Sequence, residues 1–318
     1  MKIAITGSTG FVGSNIARVL QSFGHEVVGL VRADSVLPWT SIKTDFSSKE
    51  HLAVAMSGCH VVVHCAIAND FNRLNEDREF AYDAFVGMTS RVTQAANSLG
   101  VKPVFISTDW VMDGTSHLAP ESDPGNPLNI YGYLKALGEQ VIRDLAPNNG
   151  AICRIGGLMG LHQTKAEGPR SQDVGFGYFV SSLVSSLQAG DKFAVWGGDR
   201  VNKVATPSLA SEIGAQISRI ISLDAAGTFH LVGDDAIDRW SLAMRAAEIF
   251  ELPKDLVHET LPPESEYFPA AVPIDTSLGN KLTKTRLQLE ATGIDDLLIS
   301  LRTELETGEL SPITTHFH

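Results

Sequence analysis

The chain has 318 residues, 43% of them hydrophobic and 19% charged, with a formal net charge of −12. That is ordinary globular composition, long enough for one large core and a satellite lobe, and the acidity argues against nucleic acid as the main partner. No run of about eighteen apolar residues exists to span a membrane, and strand chemistry from Lys2 onward leaves no signal peptide expected. Three scattered cysteines, Cys59, Cys65 and Cys153, fit reduced core thiols of a cytoplasmic protein.

Met1 to Thr6 reads as a short apolar strand. Gly7-Ser8-Thr9-Gly10-Phe11-Val12-Gly13 follows and opens a helix with Val12, Ile16, Val19, Leu20 and Phe23 on one side; Glu26 to Val31 is a second strand. Strand, glycine turn, helix and strand form a βαβ unit, and G-x-x-G-x-x-G at its first crossing predicts a dinucleotide site. Gly7 permits the sharp exit from the strand, Gly10 lets backbone N–H groups approach a pyrophosphate, and Gly13 lets the helix pack near the sheet. The helix start offers the anion unpaired N–H groups and a partial positive charge. Thr9, Phe11 and Val12 complete the turn and belong to the expected cofactor contacts.

Arg32 lies 19 residues after Gly13, close to where the fingerprint carries an acid that reads the ribose. A guanidinium there suits a 2′-phosphate, so NADP(H) is expected over NAD(H). The alternative is a surface arginine, with Asp34 reading the ribose and NAD(H) as cofactor. Residues 35–60 are irregular and then helical through Leu52, Val54, Ala55 and Met56. Asp45 and Phe46 sit where a third strand would end, near an adenine by position alone. Val61 to His64 is a buried strand, and Cys65-Ala66-Ile67-Ala68 is a small-residue turn suited to close approach of a flat cofactor, with Cys65, Ala66 and Ala68 as contacts. Residues 77–99 read as one long helix, and Val104 to Ser107 as the next strand.

Strands alternating with helices at this rhythm predict an α/β fold: a Rossmann-type, doubly wound parallel sheet covered on both faces. Ligands in such folds lie beyond the carboxyl ends of the strands. Two segments at such ends carry chemistry, Ser107 to Gly114 and Tyr131-Gly132-Tyr133-Leu134-Lys135. On a helix, Tyr131 and Lys135 share a face. An ammonium beside a phenol favours the phenolate and lowers its pKa from about 10, so Tyr131 is expected to exchange a proton near neutral pH. Thr108 can hydrogen-bond the same substrate oxygen.

The later chain predicts helices over Tyr178 to Gln188, Pro207 to Ile221, Ile237 to Phe250 and Ile294 to Leu305, with strands at Phe193 to Trp196 and Gly227 to Leu231. The proline-rich stretch Pro253 to Pro273 reads as extended connection, 306–318 as a frayed tail, and Leu161 to Gly177 as a polar loop that is either a lid or plain surface. The expected division is a dinucleotide-binding domain over 1–155 and a smaller, mainly substrate-binding α/β lobe over 156–318, with a cleft between; the alternative is that some segments of the lobe return to the first domain. Asp109, Trp110 and Arg154 are candidates to reach into that cleft, plain packing being the alternative for Trp110. The ten histidines lack metal-ligand spacing, so no metal is expected, His316 and His318 included. No G-x-S-x-G nucleophile elbow appears.

The motifs GSTGFVG (7–13), HCAIA (64–68), STDWVMDG (107–114) and NPLNIYGYLKALGE (126–139) resemble those of extended short-chain dehydrogenase/reductases, and within that group the dTDP-4-dehydrorhamnose reductase family. The resemblance covers nearly the whole chain and weakens after about residue 155. It implies Thr108, Tyr131 and Lys135 as the catalytic set and hydride transfer from a nicotinamide to a small-molecule keto substrate. Tyr131 would be the proton donor, and Lys135 would also hold the nicotinamide ribose. A helix-paired homodimer is common among similar proteins. The departures lie on the substrate side. Arg154-Ile155-Gly156-Gly157 stands where family members carry an arginine and then Thr-Ser-Trp, and Val272-Pro273 where they often show Arg-Pro. A cofactor-retaining epimerase or dehydratase is the alternative, but Trp110 replaces the acid that such dehydratases carry after Thr-Asp. A non-catalytic NADP(H)-binding regulatory subunit is a further alternative, against which the complete Thr-Tyr-Lys set stands.

Overall fold

Strand β1 (Lys2–Thr6) lies inside the sheet, four of its five residues buried, because its apolar side chains meet helices on both faces. A computed structural model describes residues 1–68, 70–164 and 172–314. After α1 (Phe11–Ser22) the chain continues through β2 (Glu26–Val31), β3 (Thr40–Lys43), α2 (Lys49–Ala55), β4 (Val61–His64), α3 (Phe71–Glu76), α4 (Arg78–Tyr82), α5 (Met88–Ser98), β5 (Lys102–Thr108), α6 (Ile130–Leu145) and β6 (Ala151–Ile155). The seventh strand is Gly227–His230. Strand order is Gly227–His230, β6, β5, β4, β1, β2, β3, and every pairing is parallel. The order reverses between β1 and β4, the place where a doubly wound sheet opens a crevice.

The predicted helix over 77–99 is broken. Between α4 and α5, Asp83–Gly87 forms one π turn. Thr89 and Thr93 hydroxyls donate to the carbonyls of Phe85 and Thr89, each at 2.7 Å. Such bulges re-aim side chains, and this one carries Phe85 against Tyr131, ring centroids 6.1 Å apart and edge to face.

Two large cores result. One joins β1, β4, β5 and β6 to α1 and to the helix Ala210–Ser222, through Ile16, Leu20, Ile213, Ile217 and Ile220. The other joins the helices Phe179–Gln188, Arg239–Ile249 and Ile294–Thr307 to a two-stranded parallel pair, Phe193–Trp196 with Val257–Thr260. The stretch 253–273, expected as extended connection, thus holds a strand and two short 3-10 turns as well. A helix at Lys281–Leu287 has no counterpart in the sequence reading.

The tail expected to fray is tied down as far as it is described. The Glu212 carboxylate accepts from Ile313 and Thr314 N–H at 2.8 and 2.9 Å, and Glu304 accepts from Ser311 N–H at 2.9 Å. Residues 315–318, with His316 and His318, lie outside the described residues, as do 165–171 of the predicted polar loop. No described helix is long and apolar enough to cross a membrane.

Candidate active site

The glycine turn follows β1 and meets the end of β4. Gly7 has φ +69°, and a Cβ there would stand 2.8 Å from Ala66 N, so both backbone shape and space demand glycine. The Cys65–Ala66 turn is fastened beside it: Cys65 N–H donates to Thr6 O and Ala66 N–H to Thr6 Oγ1, each at 3.2 Å. The first turn of α1 carries no acidic residue and no side-chain cap, and Ser8 Oγ is buried with no hydrogen-bond partner among the described residues. Unpaired N–H groups, a narrow backbone-lined turn and no competing carboxylate fit the anionic bridge of a dinucleotide.

Segment 160–164 runs over the start of α1. Asn15 Nδ2 donates to Phe11 O at 2.9 Å and to Leu161 O at 2.7 Å, and the Phe11 ring lies 5.2 Å from that of Tyr178. At the end of β2, Arg32 is exposed and makes no ion pair among the described residues, whereas Asp34 is bound to Lys43 at 3.2 Å. Asp45 and Phe46 follow the edge strand β3. Asp45 is exposed and accepts from Ser47, while Phe46 packs beside the α2–α5 core.

Thr108 ends β5, and the chain turns at once into a 3-10 turn, Asp109–Val111. Helix α6 presses on that turn: a Cβ on Gly132 would stand 2.2 Å from Trp110 O, so only glycine allows the approach. Asn129 caps α6, accepting from Gly132 N–H at 3.0 Å, and its Nδ2 ties the cap to Ala271 O at 2.9 Å. This contact brings Tyr131 to Thr108, which hydrogen-bonds the phenol. One turn on, Lys135 is buried and its Nζ donates to Ile106 O at 2.8 Å. Thr108, Tyr131 and Lys135 therefore meet at the carboxyl end of β5, near the crevice.

The charges do not follow the sequence expectation. Burial pushes the Tyr131 phenol up to about 12, with the Asp109 charge adding to the rise and the Thr108 hydrogen bond opposing it. Burial also draws Lys135 down to about 8. The i, i+4 spacing predicts a lowered phenol, but the ammonium is spent on the Ile106 carbonyl, Lys135 is buried and Tyr131 is partly so.

Of the three substrate candidates, only Trp110 faces outward. Its half-buried indole stands edge-on to Phe268 at 5.3 Å and to Tyr131 at 6.2 Å between centroids. Asp109 is buried and uses both oxygens: Thr108 donates to Oδ1 at 3.0 Å and Thr276 to Oδ2 at 2.6 Å. Its carboxylate lies over Gly156, where a Cβ would stand 2.9 Å from Oδ2, so the space of a larger residue is taken by Asp109.

Arg154 is a correction. It is 0% exposed, gripped by Glu139 through Nε and Nη2, each at 2.8 Å, with Nη1 donating to Asp123 O at 2.8 Å. Glu139 also accepts from Ser107 at 2.6 Å. Burial works to raise the Glu139 carboxyl, but Arg154, Ser107 and Arg143, whose Nη2 donates to Glu139 Oε2 at 2.8 Å, hold it below the usual range. The arginine of β6 thus neutralises a buried carboxylate and does not reach the cleft.

Phe85, Phe268 and Thr276 were missed from the sequence. Each comes from an element distant in the chain, and no local pattern marks them. Among the described residues no group of three or more acidic, histidine or cysteine side chains could hold a metal ion.

Known proteins share this architecture over nearly the full chain. The probable low-salt glycan biosynthesis reductase of Haloferax volcanii is 25% identical over 301 residues, covering 93% of this chain and 96% of that one. The methionine adenosyltransferase 2 subunit beta of Mus musculus is 25% identical over 312 residues, 96% of this chain and 85% of that one. A crystal structure of dTDP-4-dehydrorhamnose reductase from Bacillus anthracis in complex with NADP superposes with a TM-score of 0.76 at 19% identity, covering 95% of this chain and 99% of that one. The family model described as the RmlD substrate binding domain matches residues 1–294, and the chain belongs to that family.

Proposed function

We propose that this chain is an NADP(H)-dependent reductase that converts a keto group to an alcohol on a nucleotide-linked 4-keto-deoxysugar or a related small molecule. The observation that carries the reading is the meeting of Thr108, Tyr131 and Lys135 at the end of β5, beside a glycine turn that suits a dinucleotide. The glycine turn and Cys65–Ala68 would hold the cofactor, and Arg32, which pairs with no carboxylate among the described residues, would take a 2′-phosphate. A reduced nicotinamide, when bound, supplies hydride to a carbonyl carbon.

The remaining chemistry belongs to the protein. Tyr131 holds the proton destined for the carbonyl oxygen, and its high pKa keeps it in the acid form until a stronger base develops beside it. Thr108 orients the phenol. Lys135, anchored on Ile106 O at 2.8 Å, would hold the nicotinamide ribose. Trp110 and Phe268 exclude water above Tyr131.

The test is NADPH oxidation against a panel of ketosugar nucleotides and simple ketones, with Tyr131→Phe as control. The variant should bind NADPH as before and lose about two to four orders of magnitude in turnover. Two results overturn the reading: oxidised cofactor retained through purification with no net NADPH consumption, which is the epimerase or dehydratase outcome, or NADPH binding with no turnover of any ketone, which is the regulatory-subunit outcome.

A further inference from the structure

Two hydroxyls and a carboxyl stand in line at the mouth of β5. Thr108 Oγ1 lies 3.0 Å from Asp109 Oδ1, accepts from Trp110 N–H at 3.3 Å and hydrogen-bonds the Tyr131 phenol. A hydroxyl has one proton to give. When Asp109 is ionised, Thr108 gives it to the carboxylate, and the phenol donates in turn to Thr108 or to a substrate oxygen. When Asp109 is protonated, the carboxyl can donate to Thr108, and Thr108 to the phenol oxygen. The charge on Asp109 therefore sets the direction of the whole chain of hydrogen bonds.

Asp109 is placed for such a role and for little else. It is 6% exposed and has no ion-pair partner among the described residues, which is unusual for a buried carboxyl. The groups facing it are Thr108 from its own strand end, Tyr131 from α6, Gly156 beyond β6, and Thr276, whose neighbour Asp275 is paired with His117 at 2.8 Å. Among the described residues, neither Arg239, whose Nε donates to Asn202 O at 2.7 Å, nor Lys135 nor the Glu139–Arg154 pair makes a hydrogen bond to it. Burial lifts the Asp109 pKa to about 6, against the hydrogen bonds of Thr276 and Thr108. A phenolate next to it is far more basic, so proton flow from carboxyl to phenolate is downhill.

Resting on the reductase reading, we propose that Asp109 is the proton reservoir of the site, acting on Tyr131 through Thr108. Once Tyr131 has given its proton to the substrate oxygen, the Asp109 proton moves to Thr108 Oγ1 as the Thr108 proton moves to the Tyr131 oxygen. Two O–H bonds break and two form, nothing is oxidised or reduced, and the carboxylate left behind takes a proton from water.

The experiment compares wild type, Asp109→Asn, Thr276→Val and Tyr131→Phe, using the ketone of the panel above that is turned over fastest. In Asp109→Asn the first turnover should proceed within about threefold of wild type, while steady-state kcat falls about 10- to 100-fold. KM and NADPH affinity should hold, and the decline of kcat above about pH 6 should vanish. A reading that needs no turnover is the infrared band of a protonated carboxyl in cofactor-free protein. It should titrate near pH 6, be absent from Asp109→Asn, and titrate higher in Thr276→Val, where one donor to the carboxylate is gone.

Equal slowing of the first and later turnovers in Asp109→Asn, or wild-type kcat with the pH decline intact, overturns the reservoir. Should Asp109→Asn fail to fold, Thr276→Val decides, since a pH decline and a band that do not move refute it. Tyr131→Phe separates the two readings: if it keeps turnover, the reductase reading falls first; if it is inactive and Asp109→Asn is normal, only the reservoir falls.

Discussion

Gly13 lies directly over Gly7: a Cβ at position 13 would stand 2.3 Å from the Gly7 carbonyl oxygen and 2.9 Å from its carbonyl carbon. The clash would be with backbone, which cannot swing aside. Gly13→Ala should therefore part α1 from the turn, lower stability by about 1–3 kcal/mol as overpacking does, and abolish measurable NADPH binding. Thermal unfolding and a fluorescence titration check the two effects. Retained affinity would mean that the turn does not seat the cofactor.

Arg32 should decide between the two nicotinamide cofactors. Arg32→Ala removes about 1.5–3 kcal/mol of charge-assisted bonding to a 2′-phosphate, about 10- to 100-fold in affinity, and should leave NADH binding unchanged. Parallel titrations with both cofactors read the ratio. An equal loss for both would return the ribose-reading role to another residue, with Asp34 the first to examine.

Arg154→Met should harm stability and spare recognition. It takes the bidentate partner from the buried Glu139 carboxylate and leaves it only Arg143, at 2.8 Å, and Ser107, at a cost of about 3 kcal/mol. Glu139 is held below its unfolded pKa, so the stability it contributes is fully present above about 4.5 and drains away as pH falls through the folded value. Denaturant unfolding from pH 7 down to 3 should show wild type losing its margin over Arg154→Met. A raised KM with unchanged stability would restore Arg154 to the substrate cleft.

Lys135 has the opposite sign. Its folded pKa of about 8 lies below the ordinary 10.5, so below about pH 8 burying the charge works against folding. Between about pH 8 and 10.5 the unfolded chain binds the extra proton, and stability rises with pH by up to about 3 kcal/mol. Measured against Lys135→Met, wild type should gain stability over that window while the variant stays flat and inactive. A loss of wild-type stability over the same window would mean that the buried group is not held as described.

What could be read from the sequence was what neighbouring residues decide among themselves. The glycine turn, α1 and β2 are contiguous, and Tyr131 and Lys135 are one helical turn apart, so their spacing alone places them together. Arg154 could not be read, because an arginine ending a strand looks the same whether it turns to a cleft or to Glu139 on another element. The tuning of Tyr131 went wrong for a related reason: its sign depends on what the ammonium touches, and the Ile106 carbonyl belongs to a different strand. The π turn at Asp83–Gly87 and the docking of 311–314 on Glu212 and Glu304 likewise depend on partners far away in the chain.

The seventh strand carries a consequence for synthesis. When the ribosome has delivered β6, that strand is an open edge with bare N–H and C=O groups, and the outer side of α1 has no cover. Both are closed only when Ala210–Ser222 and Gly227–His230 emerge, after part of the other core has already been made. A nascent chain halted between these points presents a sticky parallel edge, the kind of surface on which chains associate wrongly. Expression of residues 1–155 alone should therefore give aggregates, and chaperone demand should peak before the last strand arrives.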